Sequence, residues 1–470
     1  MKKQKVIYKA LAAALAITLS VGALGGCGKK NDTKDEQGRT VITVGGWPQK
    51  EGTALDNYNE RKARFEKDNP DVVIQPDAWS FNLKTFYAKA AGGQLPTVYS
   101  VYYTNMPEII NADYAADISS VLKKRGYDGK FNPDVLDVVS RDGKIYGFPT
   151  TAYILGLGVN TDMFEKAGLM EADGTPKQPK DWNEVAEFAV KIKEATGKPG
   201  IVFPTANNYG GWMFSCLAWS YGVDFMEKGE DGKWKATFNT PEAAEALRYM
   251  KDLKWKYDVL PNNAIIDGTE FYKTFAIGNA AMLMAAGDMP QYVYQYEMNR
   301  DSIGMIGLPA GPKKFVSLLG GTVFCINQNA TEDQIDAAVR WIETQTHYTA
   351  TDDFKANADG EMKKQLDENR LIGTKSMSVW SGNAESLQYE YSLIDKNRNV
   401  NENHVKLYNN FVADCPADIQ PEEPVCAQEL YGILDSCLQE VLTNENADCA
   451  AILEKANNDF QQNYLDNLTY

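Results

Sequence analysis

Between Arg39 and Thr346, short β-branched runs alternate with amphipathic helical stretches, and this alternation points to an α/β fold, its first lobe built on a largely parallel sheet. Arg39–Val44 (RTVITV) reads as a first strand ending at Gly45-Gly46-Trp47, followed by a helix over Asn57–Lys67 that Asn69-Pro70 stops. Val72–Ile74 and Val98–Tyr102 read as further strands, with a helix over Leu83–Ala91 between them. Lys144–Val159 is apolar and extended, its Gly and Pro residues opposing a helix. Thr161–Ala167 is expected to be a short helix. Asp181 caps a longer one, and Thr240-Pro241 starts another. Strands at Ala280–Ala286, Ile303–Leu308 and Val316–Ile326 precede a helix over Thr331–Thr346. Beyond Asp352 the pattern is chiefly helical, with Gln428–Thr443 the strongest amphipathic segment.

The N-terminus carries an address. Lys2, Lys3, Lys5 and Lys9 precede an apolar run, Ala10–Ala23, too short to remain as a membrane-spanning helix. The closing Leu24-Gly25-Gly26-Cys27 resembles the lipobox of bacterial lipoproteins. That resemblance implies a signal peptide over 1–26, a mature start at lipidated Cys27, and a protein tethered to the outer face of the cytoplasmic membrane. Residues 27–38 read as a flexible, solvated stalk. Removing 1–26 takes away four lysines and no acid, so the net charge falls from −16 to −20. An acidic surface argues against nucleic acid as a partner.

The middle of the chain resembles the solute-binding proteins of carbohydrate ABC importers, the family that includes maltodextrin-binding proteins. The fullest block is Asp142–Leu169, DGKIYGFPTTAYILGLGVNTDMFEKAGL, with the family's order of G-K-x-Y-G-x-P and N-x-D-x-F-x-x-A-G-L. Pro179–Glu184 (PKDWNE), Phe275–Met282 (FAIGNAAM) and Leu308–Pro312 (LPAGP) followed by Gly320-Gly321 repeat further family elements in the same order. Thr97 stands where the family commonly has Asp, and the tail after Asp352 matches only loosely. The resemblance implies a two-lobed periplasmic-binding-protein-like α/β fold, with discontinuous lobes and a hinge. A first lobe would take 39–150 plus 309–349, and a second 151–308 plus 350–470. The implied role is capture of an oligosaccharide and its delivery to ABC permease subunits, by a monomer without cofactor or metal.

Sugars present apolar faces and hydroxyl rims, so a site needs flat aromatic platforms with polar groups at their edges. Aromatics at strand–loop junctions, where such sheets bind ligands, are the candidates. These are Trp47, Trp79, Tyr102, Tyr103 and Tyr153, with Asn208, Tyr209 and Trp212 opening a later helix. Asp288 offers a carboxylate where relatives often carry Trp, and Trp380 is a platform from the tail. Trp182, Trp234, Trp255 and Trp341, inside helices or strands, are expected to pack in the core.

Other chemistry finds little support. His347 and His404 are the only histidines, and no zinc, phosphate-loop or nucleophile-elbow motif occurs. An exported glycoside hydrolase using two of the 64 acids, or a receptor for a non-sugar solute, remain alternatives. Cys216 and Cys325 read as buried thiols. Cys415, Cys426, Cys437 and Cys449 fit either disulfides in an external compartment or, for Cys426 and Cys437, one buried helix face.

Overall fold

A computed structural model describes residues 33–382 and 384–468; the signal, Cys27 and the start of the stalk lie outside the described residues. The main sheets use strands β1 (Thr40–Val44), β2 (Val72–Pro76), β3 (Val98–Tyr102), β4 (Phe148–Tyr153), β5 (Leu155–Asn160), β6 (Met282–Ala286), β7 (Ile303–Ile306), β8 (Val316–Ile326) and β9 (Asp418–Pro421). The first lobe holds the order β9-β8-β3-β1-β2, with β4 also paired to β8. β1 runs parallel to β2 in the register Thr40↔Val72, whereas β8 runs antiparallel to β3 with Thr322↔Tyr102. The second lobe has the smaller sheet β6-β5-β7. All six residues of β5 are buried, as a central strand covered on both faces requires.

The helices follow local chemistry. We label α1 (Thr53–Asp68), α2 (Leu83–Ala91), α3 (Trp182–Thr196), α4 (Tyr209–Ser220), α5 (Pro241–Trp255), α6 (Gly268–Ala276), α7 (Glu332–Glu343), α8 (Asp352–Asp367), α9 (Glu402–Asp414) and α10 (Ala427–Thr443). Asp181 accepts the Glu184 amide at the start of α3, and Gly197 ends that helix in the left-handed conformation. Thr331 and Gln334 form a reciprocal capping box on α7.

The chain passes between lobes at Ile154, where β4 gives way to β5, and again between β7 and β8. Gly320 of β8 lies opposite Tyr153 of β4, and a Cβ there would meet the Tyr153 ring at 2.2 Å. The glycine therefore lets an aromatic ring lie flat on the crossing strands.

Two placements differ from expectation. The tail does not stay with the second lobe. β9 joins the first sheet beside β8, and α8 packs on α1 through Arg61–Asn357 and Arg64–Asp353 contacts. α9 and α10 do pack on the second lobe, against β7 and against α4 and α5. The stalk is also shorter than 27–38. Lys34 bridges to Thr40 and pairs with Asp333 at 2.7 Å, and the Val41 amide donates to Thr33, so the chain from Thr33 onward is bound to the first lobe. The described cysteines are all free thiols. Cys437 sits on the buried face of α10, but Cys426 precedes that helix as its left-handed cap, so the two cysteines do not share one helix face.

Candidate functional site in the cleft between the lobes

Two cavities open along the junction of the lobes. One, of about 200 Å³, is lined by Tyr102 and Thr104 from the first lobe and by Tyr153 and Gly321 from the crossing strands. The second lobe adds Asn207, Asn208, Tyr209 and Trp212, and the tail adds Glu422, Gln428 and Tyr431. The other, of about 280 Å³, runs from Thr150–Ala152 past Asp288 to Trp380, Glu390 and Tyr391.

The second-lobe wall is built by the start of α4. Asn207 and Asn208 both take positive φ, 59° and 68°, which turns the chain sharply into the helix. Asp435 of α10 accepts the amides of Asn208 and Gly211, each at 2.7 Å, so a carboxylate from the tail caps α4 from outside. Asn208 Nδ2 donates to both the carbonyl and the side chain of Gln428. A Cβ at Gly211 would meet Tyr431 backbone atoms at 2.2 Å, so α4 and α10 touch here backbone to backbone.

This packing presents the rings. Tyr209 is exposed and meets Trp212 edge-on at 6.0 Å. Trp212 Nε1 donates to Glu422 at 3.3 Å. The same carboxylate accepts Thr104 Oγ1 at 2.7 Å and the Tyr431 hydroxyl at 2.6 Å. Glu422 thus joins the first lobe, the second lobe and the tail at one point of the cavity wall. Burial pushes its carboxyl up, and the Tyr431, Thr104 and Trp212 donors pull it back. Asp288 follows β6 and is half-buried; burial raises its pKa, opposed by its own backbone and by the Tyr292 hydroxyl. Tyr292 itself lies flat on Tyr272, centroids 4.8 Å apart.

Of the ten expected ligand residues, Tyr102, Tyr153, Asn208, Tyr209 and Trp212 line one cavity, and Asp288 and Trp380 line the other. Trp47, Trp79 and Tyr103 line neither. Trp47 is 3 % exposed, stacked at 5.9 Å on Trp341 with its edge to Tyr58. Turn position had suggested exposure, but α7 brings Trp341 under the turn. Trp79 is half-buried beside Phe86 and Lys89. Tyr103 is buried and donates its hydroxyl to the Thr151 carbonyl at 2.8 Å. Trp380 shows little more than an edge: 5 % exposed, it lies parallel to Phe131 and Tyr127. Glu422, Gln428, Tyr431 and Tyr292 were not among the expected residues. Glu422 lies in Pro421–Pro424 (PEEP), which reads as a solvated turn, and only its tertiary partners mark it. Among the described residues no group of three or more His, Cys, Asp or Glu side chains is placed to hold a metal ion.

Residues 46–346 match the family of bacterial extracellular solute-binding proteins. The chain belongs to that family. Its members capture a solute outside the cell and deliver it to an ABC permease, and the two-lobed fold with a cleft is the architecture for that task. Among curated sequences, the sn-glycerol-3-phosphate-binding periplasmic protein of Escherichia coli K12 is 25% identical over 322 residues, covering 65% of this chain and 70% of its own. Among solved structures, a maltose-bound MalE3 of T. maritima superposes with TM-score 0.65 at 20% identity, over 90% of this chain and 99% of its own. A UgpB of Mycobacterium tuberculosis in complex with glycerophosphocholine gives TM-score 0.67 at 16% identity, over 90% and 98%. The family match stops at 346, so Glu422, Gln428 and Tyr431 come from a segment outside it.

Proposed function

We propose that this chain is the receptor of an ABC importer for an oligosaccharide, anchored to the outer face of the membrane through Cys27 and working as a monomer. One observation carries the reading. The interlobe cavity sets Tyr102, Tyr153, Tyr209 and Trp212 around a space rimmed by amide and carboxylate groups, drawn from both lobes and the strands between them. Flat rings with polar edges complement the C–H faces and hydroxyl rims of sugars. Rings from both lobes would meet the same ligand only when the lobes close on it, which couples capture to the shape a permease reads.

A thermal-shift panel of plant, host and storage oligosaccharides at millimolar concentration tests this. A ligand in large excess over its Kd raises the melting temperature by mass action, and contact with Trp212 changes tryptophan fluorescence. If no oligosaccharide shifts the melting temperature, the reading falls. The anchor has its own test: Cys27→Ala should leave binding intact and release the protein into the medium. Retention at the membrane by that variant would overturn the anchor assignment.

A further inference from the structure

Two of the cavities at the lobe junction carry a one-sided charge, whereas a third, beyond Glu422, is lined by Arg141 and Lys228. Asp288, Glu361 and Glu390 line the larger, and Glu422 lines the smaller. Among the described residues that line them, there is no Lys, Arg or His. The nearby Lys375 is engaged elsewhere, with Asp395 at 3.2 Å and over the Tyr391 ring at 4.8 Å. The amides at the start of α4, which would otherwise favour an anion, are held by Asp435.

Asp288 is the focus of this imbalance. It lines the larger cavity with Thr151 and Ala152, and Tyr153, next along that strand, lines the smaller. Tyr292, one turn on from Asp288, lies flat on Tyr272 of α6, and the first residue of α6, Gly268, lies against the Tyr209 ring. Ring faces carry partial negative charge, and they attract a cation most strongly where water is excluded. A carboxylate near aromatic rings, in a cavity with no basic side chain, is an environment that lacks its positive charge. Burial alone raises the Asp288 carboxyl, as expected for an acid without a counter-ion.

Resting on the oligosaccharide reading above, we propose that the solute carries that missing charge: a protonated amine on a sugar, seated on Asp288 between the tyrosine rings. The sugar faces use Tyr209 and Trp212, while the ammonium group donates to the Asp288 carboxylate. An anionic sugar or a phosphate ester would meet Asp288, Glu361, Glu390 and Glu422 in these two cavities and no basic side chain, and is disfavoured.

Matched tetramers on one skeleton test this with the mature full-length protein near pH 6: tetraglucosamine, its fully N-acetylated form and cellotetraose, with sn-glycerol 3-phosphate as the anionic probe. Calorimetry should find tetraglucosamine at least tenfold tighter than either neutral tetramer, and glycerol phosphate without measurable binding. Raising NaCl to about 0.5 M should erode the preference, since screening acts on the charged pair alone. Asp288→Asn should bring the ratio of amine to neutral affinities toward one. The salt series on the unmodified protein keeps the proposal testable should that variant not fold. Equal or tighter binding of cellotetraose, or no binding of tetraglucosamine, overturns the amine assignment. In the first case the oligosaccharide receptor stands. Only failure of every neutral and amino sugar removes that reading too.

Discussion

The two lobes hold their tryptophans by different means. In the first lobe, Trp47 lies against Trp341 and Tyr58, and Trp380 against Phe131 and Tyr127, rings buried among rings. In the second, two indole edges are fastened to acids of the tail, Trp212 to Glu422 and Trp219 Nε1 to Glu423 at 3.0 Å, while Trp182 and Trp255 donate to the Ser220 hydroxyl and the Val441 carbonyl. The first arrangement fills a core and is indifferent to pH. The second ties a ring to a buried carboxylate, and at Trp212, though not at the fully buried Trp219, it leaves part of the ring open to the cavity. A ring supported at its edge can serve a ligand; one enclosed on its faces cannot.

The largest expected effect lies in the first lobe. Trp47→Ala removes a fully packed indole and should lower stability by about 3–5 kcal/mol in urea unfolding. Sugar affinity, measured well below the melting transition, should stay within about twofold, a change of under roughly 0.5 kcal/mol. A tenfold loss of affinity with the fold intact would mean that Trp47 serves the ligand, and the contrast between lobes would break.

The acid-held rings of the second lobe should show a pH dependence that the ring-packed tryptophans of the first lack. Burial pushes the Glu423 carboxyl up to about 7, with Trp219 pulling it down. A free glutamate titrates near 4.3, so between these values the folded protein binds the proton and the unfolded chain does not. Its contribution is therefore fully present below about pH 4 and lost as pH rises through about 7, by up to roughly 4 kcal/mol. Glu423→Gln keeps an acceptor for Trp219 and removes the titration. The difference in unfolding free energy between the variant and the unmodified protein should grow from pH 4 to pH 8, in favour of the variant. A constant difference would show that Glu423 is solvated and that the contrast is only one of packing.

Trp212→Ala addresses the site directly. It removes a half-buried platform and leaves Glu422 one donor short. Affinity for the best oligosaccharide should fall by roughly 10–100-fold, about 1.4–2.7 kcal/mol, with a smaller change in stability than Trp47→Ala. Loss of stability without loss of affinity would place Trp212 with the core rings.

These contrasts also mark what could be read from sequence. Strands such as Val98–Tyr102 and Val316–Ile326, and the helix Leu83–Ala91, are local: alternation, β-branching and glycine stops act over a few residues, and the structure keeps those bounds. Whether a turn tryptophan is free depends on what arrives from far along the chain. Trp341 comes to Trp47 from 294 positions away, and nothing near Trp47 encodes that meeting. β9 was missed for a related reason. Asp418–Pro421 (DIQP) has little strand character of its own and becomes a strand because β8 offers it an edge. Glu422 follows directly, so an overlooked strand carried the overlooked carboxylate into the cleft.

The smallest effect tests the lip of the first lobe. Tyr102 ends β3 with 58 % of its surface exposed and only an edge contact to Phe81 at 6.0 Å. Its ring faces the cavity but has neither a core behind it nor an acid holding its hydroxyl among the hydrogen bonds described. Tyr102→Ala should therefore leave stability within about 0.5 kcal/mol. Affinity should fall a few-fold, under about 1.4 kcal/mol, because a ring that must be ordered on binding returns less than one already fixed. If Tyr102→Ala costs more affinity than Trp212→Ala, the first lobe carries the principal platform. The edge-held rings of the second lobe would then be supports for closure rather than the surface the sugar lies on.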